Sequence, residues 1–117
     1  MKIYEIKKSK FIGYLLDVKS VEDIKNKIND LRTEHKKARH VVYAYKFTDS
    51  NNQQISSYTD DKEPKGVAGI PLMMLINNKK ISNKAIVIIR YFGGIELGKS
   101  RLLRAYLHTA KLVLENE

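Results

Sequence analysis

Asp60, Asp61 and Glu63 place three carboxylates within four residues, beside Pro64 and Gly66. Carboxylates at that density could coordinate Mg²⁺ or exchange protons with a substrate. Such chemistry also needs a nucleophile or a second set of ligands, and no neighbouring motif supplies one. The commoner use of such acids is an acidic surface loop, or pairing with Arg90 or another cation. His40 opens the block ARHVVYAY, while His35 and His108 lie elsewhere, without H-E-x-x-H or any paired-ligand spacing. A single histidine at a strand start either touches a ligand or hydrogen-bonds at the edge of the core. The chain has no cysteine, which excludes disulfides, thiolate nucleophiles and zinc sites of the Cys type. On these residues alone we assign no catalytic set, no metal site and no cofactor.

Two glycine-bearing turns, KGVAG (65–69) and GGIELG (93–98), offer backbone N–H groups to an anion, the second at the start of a helix. A phosphate cradle requires GxxxxGK[ST] or GxGxxG, and neither is present. Gly98-Lys99-Ser100 has the ending of such a loop, but Gly93 and Gly94 stand at the wrong spacing. Beyond the turn, Arg101, Arg104, His108 and Lys111 recur on one side of a helix, as a phosphate-contacting strip would. Tyr91 and Phe92, with Tyr43, Tyr45 and Tyr58, are candidate stacking surfaces for single-stranded bases; a tyrosine-rich core beside a solvated helix face is the alternative.

Charge favours an anionic partner. Twenty-two Lys and Arg against 13 Asp and Glu give a net +9. The excess is +5 over residues 1–40, +1 over 41–80 and +3 over 81–117, so it lies at the two ends of the chain. RNA is the natural polyanion, although a lysine-rich solubilising surface gives the same count. There is no run of ~18 apolar residues to span a membrane. MKIYEIKKSK has no apolar signal core. The expected location is therefore cytoplasmic.

The elements that must position these residues centre on AIVIIRYF (85–92), an apolar run of the kind buried on both faces of a sheet. KSKFIGYLLDVK (8–19) reads as a first strand. Ser20 then caps a helix whose stripe is Val21, Ile24, Ile28 and Leu31. ARHVVYAYKFT (38–48) and QQISSY (53–58) form a hairpin, and TDDKEPKGVAG (59–69) is a loop. IPLMMLINN (70–78) is a buried helix opened by Pro71, with a strand as the alternative. A last helix spans 99–114, with Leu102, Leu103, Tyr106, Leu107, Ala110, Val113 and Leu114 on its apolar arc. The order β-α-β-β-α-β-α predicts an α+β domain: a mixed four-stranded sheet with helices on one face.

Five blocks together resemble the N-terminal domain of the IMPACT/YigZ family: KSKFIG (8–13), ARHVVYAY (38–45), DDKEPKGVAGIP (60–71), RYFGGIELG (90–98) and LLRAY (102–106). They occur in the family's order over nearly the whole chain. Lys62 stands where the family carries Gly, Val67 where it carries Thr, and Lys99-Ser100-Arg101 replaces a small, Gly-rich stretch. The resemblance implies a fold like the second domain of a small-subunit ribosomal protein and domain IV of translocation factor G, with a left-handed βαβ crossover. It implies a single domain over 1–117, without the ferredoxin-like domain that follows in family members. It also implies a part in the control of translation, since eukaryotic relatives restrain the starvation-sensing initiation-factor kinase.

The expected function is a non-enzymatic, translation-associated domain binding RNA or a ribosome-associated protein. Candidate binding residues are His40, Asp60, Asp61, Glu63, Arg90, Tyr91, Gly93, Gly94, Lys99, Arg101 and Arg104. The alternatives are a metal-dependent hydrolase or phosphate-handling enzyme built on the acidic loop and His40, and a protein-interaction regulator that touches no nucleic acid. Oligomeric state is not legible in the sequence.

Overall fold

A computed structural model describes residues 1–115; the last two positions of the expected 1–117 domain lie outside the described residues. In chain order the elements are β1 (Lys2–Ile6), β2 (Ser9–Asp17), α1 (Val21–Glu34), β3 (His40–Thr48), β4 (Gln54–Thr59), α2 (Gly69–Asn78), β5 (Lys84–Tyr91) and α3 (Gly98–Leu114). They build one sheet in the order β1-β2-β5-β3-β4.

The α+β class is as expected, but the sheet has five strands rather than four. The added strand is β1, KIYEI, which joins the edge in a hairpin with Ile6 opposite Ser9. Lys7 and Lys8 make the two-residue turn, both at positive φ (47° and 68°), as such tight hairpins require. The sheet is not mixed, because every neighbouring pair is antiparallel. Parallel partners exist, but β5 separates β2 from β3, and β3 separates β4 from β5.

The helices cover both faces, not one. Ile24, Ile28 and Leu31 of α1 pack on Ile12, Val41, Tyr45, Ala85, Val87 and Ile89. The alternate residues of the same strands, Phe11, Val42, Ala44, Ile86 and Ile88, pack on α2 and α3. The run of apolar residues in β5 demands this, since a strand with no polar face must be covered twice.

Handedness follows from that arrangement. β2-α1-β3 and β4-α2-β5 each connect parallel strands across one intervening strand. Half a turn in the plane of the sheet superposes the directions of the two crossovers and leaves the faces unchanged. Because α1 and α2 lie on opposite faces, the two crossovers have opposite hands. One is therefore left-handed, as the resemblance implies, against the usual right-handed rule.

Local signals explain the helix starts. Ser20 Oγ accepts from Asp23 N at 3.0 Å, and the Asp23 carboxylate accepts from Lys19 N at 3.2 Å. The helix at 70–78 is confirmed over the strand alternative, and its cap comes from a distance. Asp60 accepts from Gly69 N (2.7 Å) and Ala68 N (3.2 Å) through Oδ1, and from Gly66 N (3.2 Å) through Oδ2. The anion drawn to the KGVAG turn is thus the chain's own carboxylate.

Candidate functional site

Strand alternation decides which candidates meet. His40 and Arg90 are register partners on adjacent strands, β3 and β5, and share the face beneath α2 and α3. The loop after β4 brings Glu63 down onto that face. Arg90 Nη1 donates to both Glu63 oxygens, at 2.9 and 2.8 Å, and the Tyr106 hydroxyl from α3 donates to Oε2. His40 Nε2 lies 3.3 Å from Glu63 Oε1. Its Nδ1 donates to the Asp61 carbonyl at 2.7 Å, since a carbonyl can only accept. Glu63 and Arg90 are only 7% and 4% exposed, so the pair is a buried one. Arg90 Nε is also buried and has no hydrogen-bond partner among the described residues.

The three carboxylates do not converge. Asp60 holds the start of α2. Asp61 Oδ2 accepts from Val41 N at 2.6 Å and stands 3.7 Å from Arg32. Glu63 faces Arg90 and Tyr106. No group of three His, Asp or Glu that could hold a metal ion occurs among the described residues. Asp61 and Lys62 both take positive φ (45° and 70°), and Lys62 is the position where the resembled family carries Gly.

Around this quartet the acidic loop and the glycine turn lie side by side. Lys62, Glu63 and Pro64 on one side, with Arg90, Phe92 and Glu96 on the other, bound a cavity of about 210 Å³. The guanidinium of Arg39 sits 4.8 Å over the Phe92 ring.

Other candidates lie elsewhere. Tyr91 alternates to the opposite face, where His35 Nδ1 lies 2.6 Å from its hydroxyl and His35 Nε2 lies 3.0 Å from that of Tyr14. Gly93 N donates to Ser9 Oγ at 3.3 Å, and Gly94 takes φ +90°. Lys99 is exposed in the first turn of α3. Arg101 and Arg104 line a separate groove of about 430 Å³ with His108, Lys111 and Tyr4 of β1. Here the His108 and Tyr4 rings are 4.4 Å apart. Leu103 and Leu107, placed on the apolar arc by periodicity, are only half-buried, and Ala105 and Thr109 take core positions instead.

Tyr106 was not among the candidates. On the helix arc it looks like any core residue, and its partner Glu63 is 43 positions away. Burial, and then the Glu63 carboxylate beside it, push its hydroxyl well above the ordinary tyrosine range. Both folded and unfolded chains therefore keep this proton below pH ~10. Above that, the unfolded chain releases it first, and the tyrosine's share of stability falls by about 1.4 kcal/mol per pH unit. Tyr106→Phe is expected to cost about 1.5–3 kcal/mol at neutral pH, the usual worth of a hydrogen bond to a charged group. The gap from wild type should close above pH ~10 in urea titrations. A gap that stays constant into alkali would show that the hydroxyl is not held in this way.

The Impact N-terminal domain family matches residues 7–114. The IMPACT family member YvyE of Bacillus subtilis is 36% identical over 101 residues, which are 86% of this chain and 46% of the relative. The IMPACT family member YigZ of Escherichia coli is 36% identical over 104 residues, 89% of this chain and 51% of the relative. The chain thus spans about half the length of these curated relatives. A crystal structure of a hypothetical protein superposes with a TM-score of 0.87 at 34% identity, covering 97% of this chain and 55% of that one. The two-domain translational regulator Yih1 shares the fold, with a TM-score of 0.65 at 24% identity over 97% of this chain and 44% of that one.

Proposed function

The chain belongs to the Impact N-terminal domain family, and on that premise we propose that it is a non-enzymatic recognition domain in the control of translation, binding RNA or a ribosome-associated protein in the cytoplasm. The observation that carries this reading is α3. Its 17 residues contain no Asp or Glu, and they present Arg101, Arg104, His108 and Lys111 along one groove against β1. Arg101, Arg104 and Lys111 converging on a concave strip are the footprint of a phosphate backbone or an acidic protein surface. The fold shared with a translational regulator is in keeping with it, as an analogy of fold only. No helix among the described residues is long and apolar enough to cross a membrane.

The hydrolase alternative has less support. His40 and Glu63 do converge beside a cavity, as it requires. His40 Nδ1 is committed to the Asp61 carbonyl, however, and Asp60 and Asp61 to backbone N–H groups. No group of three His, Asp or Glu that could hold a metal ion is left among the described residues.

Arg101→Glu combined with Arg104→Glu is expected to weaken binding of a short RNA about tenfold or more, and to lower the slope of log affinity against log salt by about two. Filter binding over a salt series measures both. Unchanged affinity would reject RNA as the partner of this groove. Capture of a ribosome-associated protein that survives nuclease and is lost in the same variant would then support the protein form of the proposal.

A further inference from the structure

On the other side of α3 lies a second groove, of about 440 Å³, between α3 and α2. Ile70 and Met74 stand one turn apart along α2, and Leu103 and Leu107 one turn apart along α3. All four line the groove. Met74 is 58% exposed and Ile70 37%, although both belong to a regular helix. Scattered apolar residues on a surface need no explanation; two facing ridges around a concavity mark a contact site. Charge narrows the occupant. Neither helix contains an acid: α2 carries no charge, and the charges of α3 are Lys99, Arg101, Arg104 and Lys111. Lys111 is part of the groove lining, Lys65 adjoins Gly66 at one end and Lys79 adjoins Asn78 at the other.

We propose that this groove docks an amphipathic helix of a protein partner, with an apolar ridge at i, i+4 and i+7 and acidic residues along its flanks. The ridges from Ile70 to Asn78 extend about 12 Å, room for two to three turns. RNA fits poorly, because no aromatic side chain lines the groove for base stacking. A bilayer would suit the flanking lysines, but the apolar side chains line a concavity instead of projecting from a convex face. A second copy of the chain cannot supply the helix from α1. That helix has the acids Glu22, Asp23, Asp30 and Glu34, but its stripe Ile24, Ile28 and Leu31 is buried under the sheet. The inference goes beyond the function proposed above and stands apart from the basic groove, sharing only Leu107 and Lys111 with it.

The test is selection of displayed helices of about 16 residues against the full chain, with apolar ridge positions held as Leu and flank positions free to be Glu, Lys, Gln or Ser. The expected result is enrichment of Glu over Lys. Binding of the selected peptide, read by fluorescence anisotropy, should weaken about tenfold in Met74→Glu and in Ile70→Glu, and should not change in Lys25→Glu, an exposed position of α1 on the opposite face of the sheet. Enrichment of Lys, no enrichment, or binding indifferent to both groove variants would overturn the proposal. So would loss of binding to anionic phosphatidylglycerol vesicles or RNA in Met74→Glu with peptide binding intact. RNA binding that falls in Arg101→Glu with Arg104→Glu but not in Met74→Glu would keep the two grooves, and the two proposals, distinguishable.

Discussion

Glu63→Ala is expected to destabilise the domain by about 3–5 kcal/mol, because it leaves the buried Arg90 guanidinium without its counter-charge. Arg90 stands on the central strand β5, and both of its contacts with Glu63 run from Nη1. No other acid lies within ion-pairing distance of it among the described residues. Tyr106 would lose its acceptor as well. Against a total stability of 5–15 kcal/mol typical of a domain, that is about a fifth or more. Arg90→Met alone is expected to fall in the same range, since it strands the carboxylate instead. The combination Glu63→Leu with Arg90→Met should recover most of the loss, because replacing a buried pair with apolar groups is often nearly neutral. With Glu63→Leu as the matching single variant, urea unfolding of wild type, Glu63→Leu, Arg90→Met and the combination forms a double-mutant cycle. Single variants costing under about 1 kcal/mol would mean that water reaches the pair, as at a surface salt bridge.

That prediction turns on a contact only half legible in the chain. A pairing of the acidic loop with Arg90 was open from the start, because a carboxylate cluster beside a lone arginine in an apolar run needs an explanation. The sequence did not say which of the three acids would take it. Strand alternation puts Arg90 under α2 and α3 and sends Tyr91 to the far face, so the two neighbours separate, and Tyr91 is lost from the site. Tyr106 stayed hidden because helical periodicity reports burial and not what a hydroxyl meets across the fold. β1 was missed for a different reason. KIYEI is short, half-exposed and alternating, and its turn is Lys-Lys instead of a glycine pair. Its pairing is with β2 alone. The two-sided cover of the sheet, by contrast, was implied by the apolar run of β5, and a one-sided arrangement of helices conflicted with it.

Gly93→Ala is expected to cost about 3 kcal/mol, the upper end of the overpacking range. The cause is distance, not backbone angle. A Cβ at Gly93 would overlap the carbonyl carbon and oxygen of Lys8, and crowd its Cβ as well. These are mostly backbone atoms in a two-residue turn whose residues already hold positive φ, so the neighbour cannot swing aside as a flexible side chain would. Ser9, fully buried next to Lys8, ties the same turn to the Gly93 N–H. Gly94 one position on is the control. It has φ +90° with open space around it, so Gly94→Ala carries only the left-handed penalty of about 1–2 kcal/mol. Thermal unfolding should therefore place Gly93→Ala about 10 °C or more below wild type, with Gly94→Ala between them. Because β1 pairs only with β2, relief in Gly93→Ala should come by lifting the hairpin. Hydrogen exchange would then show protection lost first at the β1–β2 pairs, such as Ile3 with Ile12. If the two alanine variants melted together and β1 kept its protection, the close approach of the glycine turn to Lys8 would not be what holds this edge of the sheet against the motif loop.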